Sequence, residues 1–408
     1  MRILWIKTEL LHPVDKGGKI RTYQMLRALA RQHHVTYLCL DDGGAANDAL
    51  ARSRDYAQET VVVPFIPPAK GSLGFYGALI ANLLSTLPYA VTRYRSGALQ
   101  AQVSRLAPAA DLVVCDFLTP AINVVNHVQS RAVLFQHNVE AMIWKRHASV
   151  AQNVLRRAYM TLQWKRMKRF EAAACRQFAH VVAVSASDAQ RFRDEYGVKS
   201  VSDVSTGVDL DYFSPTPGTQ RHDSELVFVG SMDWMPNDEG IRWFAAEVFA
   251  LVLQRVPGAK LTVVGRFPSA TLLRLAEKLP TIEVTGTVPD VRPYLERATL
   301  SIVPLRIGGG TRLKIYEAMA LGTPIISTTI GAEGLPVLDG EHLRLADSPA
   351  AQAEAIVDLL QRPAEARRLA DNARVYVKKH CSWDAIATQF ISQCQAASRA
   401  AGTNSYKE

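Results

Sequence analysis

The stretch GGGTRLKIYEAMALGTP at 308–324 places a bare glycine backbone directly before a helical pattern. Glycines leave backbone N–H groups uncovered at the start of a helix, where the helix dipole also favours a negative charge. Threonine is a suitable residue for capping such a start. The pattern therefore predicts an anion site that includes Gly308, Gly309, Gly310 and Thr311.

Two cations and a carboxylate follow these glycines on the same helix. Arg312 and Lys314 can meet a diphosphate, the first as a fork of donors and the second as a point charge. Glu317 stands three residues after Lys314 and can accept hydrogen bonds from ribose hydroxyls. We therefore predict a phosphate site that includes Arg312 and Lys314. A capped surface helix with a Lys–Glu pair is the alternative interpretation.

Two features of the first half of the chain could also do chemistry. Gly17 and Gly18 stand between the first apolar run and a helical pattern, where backbone can approach a phosphate or a sugar. A simple turn is the alternative there. His137 and Asn138 lie just past the end of a predicted strand, at an edge where ligands bind, although a lone histidine also suits a structural role.

Short β-branched runs alternate with helical patterns along the chain, which is typical of parallel, doubly wound sheets. One series includes DLVVCDF at 111–117, and the pattern starts again with LVFVGSM at 226–232. A segment rich in Pro and Gly separates the two series. We therefore predict a first domain over 1–205, a linker over 206–222, a second domain over 223–380 and a C-terminal helix over 381–408 that returns to the first domain.

The composition indicates a globular protein with an anionic partner. The chain has 408 residues, of which 48% are hydrophobic and 21% charged, and its net charge is +9. This charge suits a nucleotide, a phospholipid surface or a nucleic acid, and a solvated basic surface is the alternative. Five scattered cysteines predict neither a disulfide framework nor a zinc site. Without a recognisable secretory signal, we expect a cytoplasmic compartment.

The uncharged stretch GSLGFYGALIANLLSTLPYAV at 71–91 is just long enough for a membrane span. It also contains Asn82, Pro88 and three glycines, which favour a buried or interfacial helix pair. An interfacial helix would dip into a bilayer rather than cross it. A true span and disorder are the other interpretations.

The long helical stretch between 138 and 180 interleaves basic and aromatic residues. Such a face suits an anionic membrane surface or a nucleic acid, and a solvated face is the third interpretation. The residues are Lys145, Arg146, Arg156, Arg157, Lys165, Arg166, Lys168 and Arg169, with Trp144, Tyr159, Trp164 and Phe170.

The segment EAMALGTPIISTTIGAEGL resembles the signature of the retaining, nucleotide-sugar-dependent glycosyltransferases of the family 4 kind. In that signature a second glutamate lies within EAMAxGxP and a GGxxE turn follows, which Glu317, Gly331 and Glu333 match. The position of the family's first glutamate is Gly309 in this chain. GGGTRLK is similar instead to a branch found among exopolysaccharide sugar transferases. The resemblance covers nearly the whole chain.

The resemblance implies an α/β protein with the GT-B fold, in which two Rossmann-like doubly wound domains face each other across a cleft. It implies that the donor site includes Gly230, Ser231, Arg266 and Val288. Arg266 and Lys314 would replace the arginine and lysine that the family commonly carries after the first strand of its donor domain. It also places His137 close to the reacting sugar.

The activity implied is sugar transfer from a nucleotide sugar with retention of configuration, without a metal or other cofactor. The acceptor would be a glycan or a lipid-linked sugar of a bacterial surface polysaccharide. The protein would work in the cytoplasm or on the inner face of the cytoplasmic membrane, with an anionic membrane surface as a partner and no nucleic acid. The alternatives are a non-catalytic protein of the same fold that binds membrane or nucleic acid, and a nucleotide-sugar epimerase.

Overall fold

The computed structural model describes residues 1–14, 17–69, 71–150, 153–307 and 312–404. The chain divides into two compact units, one formed by Met1–Ser205 with Trp383–Glu408 and the other by Thr206–Ser382.

The first unit is built on a seven-stranded parallel sheet in the order β3-β2-β1-β4-β5-β6-β7. The sheet winds away from β1 in both directions, so the gap between β1 and β4 is its topological switch point. Strand interiors are near-continuous apolar runs because both faces of such a sheet are buried. The strands are β1 (Arg2–Lys7), β2 (His34–Asp41), β3 (Glu59–Pro64), β4 (Leu112–Asp116), β5 (Ala132–Phe135), β6 (His180–Ala183) and β7 (Val201–Asp203).

Helices connect these strands, and several begin at a serine or asparagine that caps the free N–H groups of the first turn. Ser72 accepts a hydrogen bond from the amide of Phe75, and Ser185 accepts one from Asp188. The helices are α1 (Gly17–Ala30), α2 (Leu73–Leu83), α3 (Tyr89–Thr92), α4 (Gly97–Leu106), α5 (Asn126–Gln129), α6 (Glu140–Val150), α7 (Val154–Gln177) and α8 (Ala186–Tyr196).

The second unit repeats this plan with a six-stranded parallel sheet in the order β10-β9-β8-β11-β12-β13. Its switch point lies between β8 and β11. A π-helical turn at Phe244–Val248 joins two of its helices. The elements are β8 (Glu225–Val229), α9 (Met235–Trp243), α10 (Phe249–Arg255), β9 (Lys260–Val264), α11 (Ala270–Lys278), β10 (Ile282–Gly286), α12 (Arg292–Arg297), β11 (Leu300–Val303), α13 (Leu313–Ala320), β12 (Ile325–Ser327), β13 (Arg344–Leu345), α14 (Pro349–Gln361) and α15 (Pro363–His380).

The last helix, α16 (Trp383–Asn404), belongs to the first unit. The ring of Phe390 packs 5.7 Å from that of Trp5 and 5.1 Å from that of Phe135, centroid to centroid. Gln393 accepts a hydrogen bond from the Ser202 hydroxyl at 2.6 Å. The first hydrophobic core is therefore completed by residues from the far end of the chain.

The segment 206–222, predicted as a linker, lies within the second unit and makes hydrogen bonds to other parts of it. The amide of Val208 donates to the carbonyl oxygen of Cys381 at 2.8 Å. Arg221 donates to the carbonyl oxygens of Ala298 at 2.6 Å and Gly322 at 2.7 Å.

The uncharged stretch 71–91 contains the helix α2 and the start of α3, separated by a short turn. Among the residues described, no helix has both the length and the apolar character that crossing a bilayer requires. The predicted fold class, α/β with two Rossmann-like doubly wound sheets, is confirmed by the two sheet topologies.

Candidate functional site

Four polar side chains meet at the switch point of the first sheet, and we call them the aspartate cluster: Lys7, Thr22, Asp116 and His137. Lys7 is the last residue of β1 and Asp116 the last of β4, while His137 comes two residues after β5. Thr22 lies on the second turn of α1. All four side chains are buried.

Asp116 is the centre of this cluster. Its Oδ2 accepts hydrogen bonds from Lys7 Nζ at 2.9 Å and from Thr22 Oγ1 at 2.6 Å. The indole Nε1 of Trp5 donates to the same oxygen at 3.0 Å. His137 Nε2 lies 2.7 Å from the other oxygen, Oδ1. One carboxylate thus holds the ends of β1 and β4, the chain after β5 and helix α1 together.

Burial and charge set the protonation of this cluster. Burial would raise the pKa of Asp116, but the Lys7 ammonium and His137 outweigh burial and hold that pKa below its ordinary value. Burial lowers the pKa of His137 to about 4, against the raising effect of Asp116. His137 is therefore a neutral imidazole at pH 7, and Lys7 with Asp116 forms the buried ion pair.

An aromatic ring covers the histidine and explains one of the predicted glycines. The ring of Phe117 stacks on the imidazole of His137 with 3.9 Å between centroids. A Cβ atom at Gly18 would lie 2.8 Å from Phe117 Cζ, so this packing requires a glycine. Gly17 begins α1. The structure brings Gly18 and His137 to the same Phe117 ring, which the bare backbone of Gly18 faces.

A second cluster lies at the switch point of the second sheet, and we call Gly230, Asn237 and Lys314 the lysine cluster. Gly230 follows β8, and Lys314 lies on α13, the helix after β11. Lys314 Nζ donates to Asn237 Oδ1 at 2.8 Å and lies 4.4 Å from the centroid of the Phe228 ring. A Cβ atom at position 230 would lie 2.8 Å from both Lys314 Nζ and Asn237 Nδ2. The ammonium therefore sits against bare backbone.

The environment of Lys314 makes its charge costly. Burial lowers the pKa of Lys314 to about 7, Glu317 opposes that shift, and Arg312 adds to it. Burial likewise raises the pKa of Glu317 to about 7 against the influence of Lys314. Within the described residues, no carboxylate lies within ion-pair distance of Lys314 Nζ. An anion placed here would stabilise the ammonium, which a surface lysine would not need.

Ser231 and Arg266 continue the lysine cluster along the same edge. Asn237 Nδ2 donates to the carbonyl oxygen of Ser231 at 2.8 Å, and Arg266 Nε donates to the Ser231 hydroxyl oxygen at 2.8 Å. The Ser231 hydroxyl also donates to Asp233, and the Arg266 guanidinium lies 3.4 Å from the same carboxylate. Five predicted donor-site residues, Gly230, Ser231, Arg266, Lys314 and Glu317, are therefore grouped at one edge of the second sheet.

Arg312 has a different environment from Lys314. Its side chain is buried, its Nη2 donates to the carbonyl oxygen of Ile330 at 2.8 Å, and Glu333 lies 3.6 Å away. Arg312 thus holds the turn that follows β12, while its charge is still close enough to lower the pKa of Lys314. A role in donor binding stays a prediction for this residue.

The other predicted donor-site residues are not joined to the lysine cluster by these contacts. Val288 lies two residues after β10, half-buried against an apolar cluster of the second unit. Helix α13 begins at Leu313. Gly308, Gly309, Gly310 and Thr311 lie outside the described residues, so the predicted glycine site and its threonine cap stay predictions.

Sequence reasoning missed three residues that organise these clusters: Lys7, Asp116 and Asn237. A signal existed for two of them, because Lys7 and Asp116 each end an apolar strand at the edge where doubly wound sheets bind ligands. Asn237 gave no such signal, since it sits inside a helix far along the chain from Lys314.

A family model described as Glycosyltransferase Family 4 matches residues 16–212, and one described as Glycosyl transferases group 1 matches residues 223–362. An uncharacterized 44.6 kDa protein in the cps region of Klebsiella pneumoniae is 20% identical, over 93% of this chain and 96% of its own.

Two solved structures show the same fold over almost the full length. The sucrose-phosphate synthase of Thermosynechococcus elongatus has a TM-score of 0.70 at 19% identity, covering 98% of this chain and all (100%) of its own. Anabaena HepE in complex with UDP has a TM-score of 0.69 at 14% identity, covering 97% of this chain and 100% of its own.

Replacing Asp116 with asparagine should destabilise the protein by about 3 kcal/mol or more, because Lys7 would be left as an unpaired buried charge. Urea unfolding measures this change. Asp111→Asn is the matched control, since it also removes an ion pair to β1, but an exposed one with Arg2. We expect little change in the control, and an equal loss in both variants would contradict the central role of Asp116.

His137 should make stability depend on pH below neutrality. Between about 6.5 and 4 the unfolded histidine binds a proton that the folded one does not, so the free energy of unfolding falls as pH drops through this window. His137→Gln should reduce that slope in urea titrations. Burial also lowers the pKa of His180 to about 4, so His180 should preserve part of the slope in this variant. The exposed His127→Gln should leave the slope unchanged, and an unchanged slope in His137→Gln would refute the assignment.

Proposed function

We propose that this chain transfers a sugar from a nucleotide-sugar donor with retention of configuration. The premise is that the chain belongs to the group 1 glycosyltransferases of family 4. The observation that carries the donor site is the position of Lys314. Its ammonium lies at the switch point of the second sheet against the bare backbone of Gly230, with a pKa lowered by burial. The Lys314 ammonium can therefore hold an anion beside position 230, where there is no room for a side chain.

The anion we propose is the diphosphate of the donor. As the glycosidic bond breaks, negative charge grows on the leaving nucleoside diphosphate, and a cation already in place stabilises it without reorganisation. Lys314 supplies that cation, and Arg266 is positioned by Ser231 on the same edge to supply a second. Glu317, one turn after Lys314, would accept hydrogen bonds from the ribose. In this proposal the protein's own cations do the work and no metal takes part.

The nucleoside we favour is uridine. Anabaena HepE was solved in complex with UDP, and its fold matches this chain over almost the full length. Val288, predicted near the base from the sequence resemblance, would provide an apolar contact for it. The nucleotide panel described below discriminates uridine from guanosine, adenosine and thymidine.

The acceptor would attack on the face that the diphosphate leaves, and a phosphate oxygen would take its proton. We propose that His137 contacts the reacting sugar, with its Nδ1 as the contacting atom. Its Nε2 already faces Asp116 at 2.7 Å, and Nδ1 has no hydrogen-bond partner in the described part of the chain. Because Nε2 faces a carboxylate, the one proton of the neutral imidazole lies on Nε2, and Nδ1 can accept a hydrogen bond from a sugar hydroxyl without adding charge.

For the acceptor we propose a glycan or a lipid-linked sugar in the synthesis of a bacterial surface polysaccharide. Two observations support this: the resemblance of GGGTRLK to exopolysaccharide sugar transferases, and the relative in a cps region of Klebsiella pneumoniae. A lipid-linked acceptor requires the protein to work at the inner face of a membrane, and we include that peripheral association in the proposal.

Lys314→Ala should abolish the thermal stabilisation that a donor gives. A panel of UDP-, GDP-, ADP- and dTDP-sugars is added to the purified protein and the melting temperature is measured. At about a hundred times Kd a ligand stabilises its folded partner by about 2.7 kcal/mol, which is a shift of several degrees. Lys278→Ala, an exposed lysine of the same unit, should keep the full shift. No shift with any donor, or the same shift in Lys314→Ala, would remove the donor site from α13.

Donor affinity should also fall as the pH rises. Because Lys314 loses its proton at about pH 7 in the free protein, binding a diphosphate must restore that proton, so affinity drops about tenfold for each pH unit above this value. Titration calorimetry with the stabilising donor measures this dependence. Lys314→Arg should flatten it, since arginine stays protonated, while Glu317→Gln should retain it. A flat profile in the unaltered protein would disprove the role of Lys314.

A further inference from the structure

The outer face of helix α2 is apolar along its whole length. Leu73, Tyr76 and Ile80 of α2, and Leu84 directly after its last residue, follow one another at helical spacing and all are exposed, Leu73 and Leu84 to 92% and 94%. A surface helix normally turns polar residues to water, and a helix that is apolar all round is normally buried. This face therefore suits an apolar environment better than water.

The side-chain amide of α2, Asn82, is turned away from that face and satisfied by protein. Asn82 is buried, its Nδ2 donates to the carbonyl oxygen of Leu87 and its Oδ1 accepts from Gln163. The last carbonyl groups of a helix are usually left to solvent. Here Arg166 of α7 donates to the carbonyl oxygens of Asn82 at 2.8 Å and Leu83 at 2.9 Å. The C-terminal end of α2 thus has protein donors for these carbonyls in place of water.

The length of α2 decides how it could meet a bilayer. Its 11 residues span about 16 Å, roughly half of the hydrocarbon thickness of about 30 Å. The helix is too short to cross a bilayer. A helix with one exposed apolar face can instead lie in the interface, with that face in the headgroup–acyl boundary.

The chain around α2 and along most of α6 and α7 carries cations without acidic residues. No aspartate or glutamate lies between Glu59 and Asp111, the segment that contains α2. The same is true between Glu140 and Glu171, the segment that forms most of α6 and α7. Gln163 and Arg166 hold α2 against α7. The N-terminal part of α7 exposes Arg156, Arg157 and Lys165 together with Val154 and Leu155. Arg166, predicted as part of this basic face, is instead buried under α2.

We infer that the outer face of α2 inserts into the headgroup–acyl boundary of an anionic bilayer, with the exposed cations of α7 on the phosphate headgroups. Apolar area fixes the depth, and electrostatic attraction selects anionic lipid. The inference rests on the membrane association proposed above and identifies its contact surface. It does not depend on the donor site.

Vesicle flotation tests the inference with the full chain. We expect the protein to float with vesicles of phosphatidylcholine mixed with phosphatidylglycerol, and at least tenfold more weakly with phosphatidylcholine alone. The double variant Ile80→Asn, Leu84→Asn should lose at least tenfold in partitioning. Val375→Asn on α15 is the matched control, because Val375 and Ile80 are both 67% exposed, and it should float as the unaltered protein does.

Two further measurements separate the possible failures. The urea midpoint of the double variant should equal that of the control, which keeps loss of binding distinct from unfolding, and Arg156→Gln with Arg157→Gln should weaken flotation and its salt dependence. Absence of flotation with anionic vesicles, an equal loss in Val375→Asn, or a lipid-free dimer that Ile80→Asn dissociates would overturn the inference. Donor-induced stabilisation, measured separately, would fail only if the donor site is wrong.

Discussion

A carboxylate that is fully buried has to be balanced by charge and hydrogen bonds within a few ångströms, and in the first unit Asp116 imposes this requirement. It is met by Lys7, Thr22 and Trp5 on one oxygen and by His137 beside the other. Together with Asp116, these residues come from two strands, a helix and a loop. The switch point of the sheet, where the chain reverses its winding direction, is therefore held by one anion.

The second unit also has a lysine at its switch point but gives it a different environment. Lys7 is paired with a carboxylate, whereas Lys314 donates to the neutral amide of Asn237 and lies over the Phe228 ring. The charge of Lys7 is already balanced by Asp116, so Lys7 has a structural role. The second keeps a lowered pKa and therefore a driving force to take up an anion. The two sheets thus have the same strand order, but the lysine of the first is structural and the lysine of the second is available to a ligand.

Much of this could be predicted from the sequence, for identifiable reasons. Apolar runs of four to six residues between helical patterns predicted both sheets, since buried parallel strands need no polar face. The spacing of Lys314 and Glu317 predicted a shared helix face, because neighbouring turns align such residues. Arg312 precedes α13, and its neighbours come from the turn after β12, so local spacing could not place it.

The clusters themselves could not be predicted, because they depend on contacts between distant residues. Asp116 is more than ninety residues from each of its three hydrogen-bond donors, and Asn237 is separated from Lys314 by 77 positions. The sequence also allowed the stretch 71–91 to be buried, interfacial or spanning. Only the structure shows that Asn82 of α2 turns inward while Leu73 and Ile80 are exposed.

The path of the chain has a consequence for how the protein is made. The first unit is interrupted after Ser205 and completed by α16, whose Phe390 packs between Trp5 and Phe135. During synthesis the ribosome delivers the entire second unit before these last residues. Until α16 has been made, part of the apolar surface of the first sheet is uncovered. Domains that wait in this state are exposed to aggregation and to chaperones. The second unit, which is continuous in sequence, can finish folding before its neighbour.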